Sequence, residues 1–404
     1  MKYFILVYDG MADTAIPELG DKTPMEVANK PTMDKLAKVS RVGTVLNVPT
    51  GMVPESDTAN LAILSYDPKV YSKGRSPLEA MSMGIEMKED ETAIRCNIVT
   101  LSEDEADYDD KIILDHSADE ITTSEANELI QAMEEKFGDD FRHFYTGISY
   151  RHCLIWKNIT DTYNFNRPHD ILGKRIGEYL PKDEEGRPFY ELMRASYDVL
   201  NDHPVNRSRR ERGLHPANSI WLWSPGKKPA LPSFEEKWGL KGTVISAVDL
   251  IKGIALCAGM ETVNIEGATG NVHTNYKGKA DAAINAFTDG KDLVFLHVEA
   301  PDECGHRAEL DNKVRSIELI DEKILTPVYE YLKNSGDEYK ILLLPDHPTP
   351  IAMRTHSPDP VPFMLYSSTT DFCGTDCFTE VTAASKNDYI PDGSNLIGIM
   401  MSDK

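Results

Sequence analysis

Tyr3-Phe4-Ile5-Leu6-Val7-Tyr8-Asp9-Gly10 is a continuous, β-prone apolar run that stops at an aspartate and a glycine. A run that is apolar at successive positions and closed by a turn signal has the pattern of a strand buried on both faces in a parallel sheet. Ligands of open α/β sheets gather at the carboxyl ends of such strands. Asp9 is therefore a candidate ligand, although a turn-forming aspartate would give the same local sequence. Similar runs recur at Leu293–Val298, Lys340–Leu344 and Pro362–Tyr366, and they alternate with helical spacing at Ala247–Ala258 and Lys313–Leu332. The expected fold is α/β, a sheet flanked by helices.

Between these parts the texture changes. From about Glu86, acidic patches such as Glu103–Asp110 alternate with short strand-like runs at Ile94–Leu101, Lys111–Leu114 and Phe144–Trp156. A stretch rich in proline and tryptophan, Trp221–Trp238, closes this region. Such shifts mark domain boundaries. We expect one domain from residues 1–85 and 238–404, with an inserted α+β domain at 86–237.

The 404 residues suffice for two domains, and 43 basic against 66 acidic side chains give a formal charge of −23. That charge argues against binding nucleic acid or anionic lipid, so an anionic substrate must meet a local island of metal ions or arginines. The apolar run near the N-terminus is too short for a signal-peptide core or a membrane span. The six cysteines are dispersed, without paired zinc-ligand spacing, which fits reduced thiols and a cytoplasmic location.

Val53-Pro54-Glu55-Ser56-Asp57-Thr58-Ala59-Asn60 reads as a loop running into a helix. Ser56 then sits where unpaired backbone N–H groups converge on an anion, or serves only as an N-cap. The second half of the chain adds polar groups at strand ends: Asp302 and His306 beyond one run, Asp346 and His347 beyond another, and His356 after that. Asp302 and His306, four apart, share one helical face and could grip one ion. Asp346 and His347 are adjacent and suit a bridging role in a two-metal site. Mixed carboxylate and imidazole donors favour Mn²⁺, Zn²⁺ or Mg²⁺ over a soft-metal site.

These motifs occur together and in order: Asp9-Gly10, Ser-Asp-Thr-Ala-Asn at 56–60, Asp67-Pro68, Gly74-Arg75-Ser76-Pro77, Asp302 with Glu303 and His306, Asp346-His347, and Asp359-Pro360-Val361-Pro362. The set resembles the archaeal type of cofactor-independent phosphoglycerate mutase, a family of the alkaline phosphatase superfamily. The resemblance implies an alkaline-phosphatase-like sheet and two divalent ions, Mn²⁺ first, with Zn²⁺, Mg²⁺ or Co²⁺ as alternatives. It implies one ion on Asp302, His306 and His356, a second on Asp9, Ser56, Asp346 and His347, and Ser56 as the nucleophile that carries the phosphoryl group. The implied partner is a small phosphorylated anion.

Arginines and a histidine of the inserted domain bind this substrate in the family. The matching candidates here are Arg151 and His152, with Arg207 and Arg210 from the basic cluster at 206–212, and Lys277 as a further phosphoryl contact. Arg207 and Arg210, three apart, could face the same way, though a solvated charged helix face has the same sequence. Glu55 stands where the family usually has glycine and Pro348 where it has serine, and the histidine of Asp115-His116-Ser117-Ala118-Asp119 falls at a different place. The Asp-His-Pro-Thr-Pro pattern also resembles a sister group proposed as homoserine kinases. That makes homoserine phosphorylation in threonine biosynthesis the alternative to the glycolytic mutase reaction.

Overall fold

The computed structural model describes residues 1–402. The chain forms two compact units, one from residues 1–72 and 230–404, the other from 73–229. In chain order the strands are β1 (Lys2–Tyr8), β2 (Arg41–Val45), β3 (Glu91–Leu101), β4 (Ile113–Asp115), β5 (Arg142–Ile148), β6 (Arg151–Lys157) and β7 (Ser219–Lys227). They continue with β8 (Gly242–Ile245), β9 (Glu261–Thr262), β10 (Leu293–Val298), β11 (Tyr339–Leu344), β12 (Val361–Ser367) and β13 (Tyr389–Ile390).

The first unit holds an eight-stranded sheet in the order β13-β2-β12-β11-β1-β10-β8-β9. All neighbours are parallel except β12, which runs antiparallel to both β11 and β2. β1, β10 and β11 lie side by side at its centre, and every residue from Phe4 to Tyr8 and from Leu293 to Val298 is buried. Helices cover both faces, which is why these strands read as unbroken apolar runs. The register pairs Tyr8 with Val298 and Val7 with Leu344. Asp9, Glu299 and Asp346 therefore leave the sheet together at its carboxyl edge.

The second unit is antiparallel. β3 is its axis, paired with β6 on one side and β7 on the other, with β5 beyond β6 and β4 at the end of β3. Helix Thr123–Phe137 starts at Thr122, whose side chain accepts the Glu125 N–H, and buries Ala126, Leu129, Ile130 and Met133. That i, i+3, i+4, i+7 spacing forms one apolar stripe. With Phe189, Leu192 and Met193 of helix Arg187–Leu200 it packs into the core that contains Ile94, Cys96 and Ile98 of β3.

This unit is the expected α+β module, but it begins at residue 73 and ends at 229, not at 86 and 237. Helix Ser76–Ser82 belongs to it because Ala80 joins a small core with Ala93 of β3 and Ile155 of β6. Among the described residues, no helix is long and apolar enough to cross a membrane.

Candidate active site

The carboxyl edge of the large sheet collects Asp9 after β1, Asp346 and His347 after β11, and Asp302 and His306 on helix Ala300–Arg307 after β10. His356 comes from the segment between β11 and β12. Ser56 is the first residue of helix Ser56–Ile63; Glu55 occupies the cap position, and no side chain caps that end. All seven residues expected as ligands lie around one centre.

Ser56 Oγ is 3.2 Å from His347 Nε2. That same nitrogen is 3.5 Å from Asp346 Oδ2 and 3.7 Å from Asp9 Oδ1. Donor atoms of Asp302, His347 and His356 also lie within 4.8 Å of one another, so His347 stands between the two implied ligand sets. Its ring stacks on that of His356 with centroids 3.9 Å apart.

On the other side, His306 Nε2 is 3.2 Å from Asp302 Oδ2, and His356 Nε2 is 3.3 Å from Asp302 Oδ1. His306 Nδ1–H donates to the Arg354 carbonyl at 3.0 Å and His356 Nδ1–H to the Pro54 carbonyl at 2.6 Å. Those bonds turn both Nε2 atoms inward, where they face each other at 2.9 Å. With both Nδ1–H groups committed to backbone carbonyls, the deprotonated rings would present two Nε2 lone pairs to one point beside a carboxylate, a donor set that fits a cation.

The buried charge is one-sided. Burial and the nearby charges of Asp346 and Asp302 push the Asp9 carboxyl well above the usual range. Burial opposes ionisation of Asp302 too, but His306 and His356 hold it well below the ordinary carboxylate range, and Asp302 raises His306 to about 9. Asp9 Oδ1 is buried without a hydrogen-bond partner. An orphaned carboxylate oxygen among three acidic groups fits divalent cations.

Second-layer contacts keep this arrangement in place. Asn60 Nδ2 donates to Asp346 Oδ2 at 2.9 Å and to the Ser56 carbonyl at 2.8 Å. The Gly10 N–H and the His347 N–H donate to Asp346 Oδ1. Thr349 Oγ1 donates to Asp302 Oδ1, and the buried Lys313 Nζ donates to the Thr349 carbonyl and Asp13 Oδ2, both at 2.7 Å.

Gly10 has φ +60°, and a Cβ there would come within 2.8 Å of the Asp302 Cα. Gly10→Ala is expected to cost about 2–4 kcal/mol through left-handed strain and overpacking. The urea midpoint should fall with the slope unchanged.

The second unit has its own pocket of about 250 Å³, lined among others by Arg75, Arg95, His116, Arg151, His152 and Trp223. The Gly147 N–H donates to His152 Nδ1 at 3.0 Å, so the proton sits on Nε2, which is buried without a partner. Burial lowers the His152 pKa to about 4, leaving a neutral donor at physiological pH. Arg95 pairs with Glu79 and lies 4.5 Å over the Trp223 ring. This suits a small anion.

Of the expected substrate residues, Arg151 and His152 line this pocket, while Arg207, Arg210 and Lys277 stand elsewhere. Arg207 is exposed and paired with Asp202, and Arg210 pairs with Glu103 and Asn201. Both lie on helix Pro204–Glu211, where Arg209, the one that is buried, instead holds Glu125 and the Ala118 and His215 carbonyls. Lys277 points to solvent beside Asp281 on helix Tyr276–Thr288, whose buried lysine is Lys279. Sequence reasoning also passed over His297, Asn60, Thr349 and Arg95. For His297 the available signal was a lone histidine inside a strand buried on both faces.

One edge of a mainly parallel α/β sheet thus carries a serine together with paired carboxylate–imidazole clusters. A family model described as 2,3-bisphosphoglycerate-independent phosphoglycerate mutase matches residues 37–206. Proteins of that name from Methanothrix thermoacetophila and Methanosarcina barkeri are 44% and 45% identical over 402 and 406 residues, covering 100% of this chain and of each relative. The solved cofactor-independent phosphoglycerate mutase of Thermoplasma acidophilum superposes with a TM-score of 0.70 at 26% identity, over 99% of each chain. The chain belongs to the 2,3-bisphosphoglycerate-independent phosphoglycerate mutase family.

Proposed function

We propose that this chain interconverts 3-phosphoglycerate and 2-phosphoglycerate by passing the phosphoryl group through Ser56. The observation that carries the reading is Ser56 Oγ at an uncapped helix N-terminus, facing His347 within the acidic cluster. Relatives of full length that bear the mutase name support the substrate.

Asp302, His306 and His356 would hold one divalent ion and Asp9, Ser56, Asp346 and His347 the other, with Mn²⁺ first and Zn²⁺, Mg²⁺ or Co²⁺ as alternatives. Bound there, such ions supply positive charge that lowers the pKa of the serine hydroxyl and neutralises phosphoryl oxygens. The rest falls to the chain. Ser56 Oγ attacks phosphorus in line; its bond to phosphorus forms as the bond to the glycerate 3-oxygen breaks. The proton lost by the serine hydroxyl equals the one gained by the leaving oxygen. In the second half, the 2-oxygen attacks phosphoserine and the exchange reverses. The dipole end of helix Ser56–Ile63 favours the added negative charge, and Asn60 keeps Asp346 and the Ser56 carbonyl in register.

The pocket of the second unit suits glycerate recognition. Arg151 offers a planar fork to an oxyanion, and His152 Nε2–H adds a neutral donor. Arg151→Ala is expected to raise KM for 3-phosphoglycerate at least about tenfold, since a charge-assisted hydrogen bond contributes about 1.5–3 kcal/mol. An unchanged KM here, with a rise in Arg207→Ala, would return the anion contact to helix Pro204–Glu211.

The substrate itself is tested by phosphorus NMR of Mn²⁺-loaded protein, given 3-phosphoglycerate alone or homoserine with ATP. The proposal requires 2-phosphoglycerate in the first tube and no phosphohomoserine in the second. The reverse pattern would transfer the serine and its ligands to the homoserine reaction.

A further inference from the structure

His297 is the one histidine at this edge that the implied ligand sets leave unused. It lies in β10 and is completely buried. Its Nε2 is 3.2 Å from Asp9 Oδ2 and 3.9 Å from Asp346 Oδ2. Neither approach has hydrogen-bond geometry, and Nε2 has no hydrogen-bond partner. A buried ring nitrogen aimed between two carboxylates, off the line to either, is placed as a lone pair beside a shared cation would be.

The opposite ring nitrogen is held. His297 Nδ1 is 3.3 Å from both Ser246 Oγ and Glu299 Oε1. Ser246 Oγ–H and the Ala247 N–H both donate to that same oxygen, at 2.9 and 2.7 Å. Lys279 Nζ donates to Glu299 Oε2 at 2.6 Å and to the His297 carbonyl at 3.1 Å. Lys279 and Glu299 are as buried as the histidine, at 0% and 3% side-chain exposure. Against a carboxylate oxygen and a hydroxyl, a bare Nδ1 would be repelled, so Nδ1 carries the proton. This is the carboxylate–imidazole pairing that sets the tautomer of metal-bound histidines.

We infer that His297 is a further ligand at the Asp9/Asp346 half of the centre, oriented by a buried Ser246–Glu299–Lys279 buttress. The inference rests on the two-ion reading given above and adds a donor to it. It also gives that half a second nitrogen beside His347, which favours Mn²⁺, Co²⁺ or Zn²⁺ over Mg²⁺. Lys279 and Glu299 are positioning residues.

The test counts coordinated imidazoles in Co²⁺-loaded full-length protein, through the paramagnetically shifted, exchangeable ring N–H signals in proton NMR. Dialysis and elemental analysis give the number of ions bound. Wild type should bind two ions and show signals for four coordinated histidines, namely His297, His306, His347 and His356. His297→Gln should lose one of them and weaken one of the two ions at least about tenfold, leaving the other unchanged. Glu299→Gln should keep all four signals while shifting one and weakening the same ion.

Two ions with signals for three histidines, or affinities unchanged in His297→Gln, overturn the inference and leave the two-ion reading standing. Fewer than two ions in wild type overturns both. The wild-type count decides the matter even where a variant fails to fold.

Discussion

Ser56→Ala is expected to abolish the interconversion of 3- and 2-phosphoglycerate, with kcat falling by at least about 10⁴-fold, as when an enzyme loses its nucleophile. The change removes one oxygen from a half-buried position at the start of helix Ser56–Ile63. No cap hydrogen bond is lost, because the Ser56 side chain does not cap the helix. The fold should therefore be retained, with Tm within a degree or two of wild type. Substrate should still bind, because the change leaves the proposed Arg151 and His152 contacts untouched. A phosphorus NMR time course on both proteins reads the effect. Activity retained in the variant would remove the serine from the mechanism.

Removing divalent ions is the second large perturbation. Exhaustive chelation should bring activity to background, and Mn²⁺ should restore it. Stability should move in the same direction. Asp9, Asp302 and Asp346 are buried together, and burial, with the charges of Asp346 and Asp302 added to it, raises the Asp9 carboxyl. An ion bound at a hundred times its Kd stabilises by about 2.7 kcal/mol. At about 2–4 °C per kcal/mol for a unit of this size, chelation should lower Tm by roughly 5–10 °C per site. Asp302→Ala should lose one ion and most of the activity, and Mn²⁺ added at moderate excess should not rescue it. An unchanged Tm on chelation would mean that the cluster does not hold the ions assigned to it.

Much of this centre was legible in the chain because the chemistry sits just past the ends of strands. Asp9 follows a run buried on both faces, and Asp346 follows β11 in the same way, so the apolar pattern and the candidate ligand could be read together. His297 was not legible by that rule, since it lies inside the strand and its partners Ser246 and Lys279 are distant in sequence. The direction of β12 was equally hidden: an antiparallel strand buried on both faces has the composition of a parallel one.

Lys277, expected as a phosphoryl contact, lies on the exposed side of its helix. Asn275 caps helix Tyr276–Thr288, and Lys279, Ala280, Ala283, Ala286 and Phe287 form its buried stripe. That spacing leaves Lys277 outside the stripe, so the period of 3.6 shows from sequence that Lys279 is the lysine facing the core. The arginines at 207 and 210 stood out by composition, but what they touch depends on Asp202 and Glu103. Glu103 is remote in the chain, and charge clustering says nothing about such partners. The start of the second unit was hidden for a related reason, because helix Ser76–Ser82 is assigned by its packing on β3 and β6 and not by its own sequence.

The central claim is that Ser56 carries the phosphoryl group between the two hydroxyls of glycerate. Rapid acid quenching of Mn²⁺-loaded protein during turnover of 3-phosphoglycerate, followed by mass spectrometry of the peptide containing residues 53–64, tests it most directly. The account requires a single phosphoryl group on Ser56, formed within one turnover and absent from protein quenched without substrate. Turnover to 2-phosphoglycerate with that peptide unmodified at every time point, or with the phosphoryl group on another residue, would contradict it.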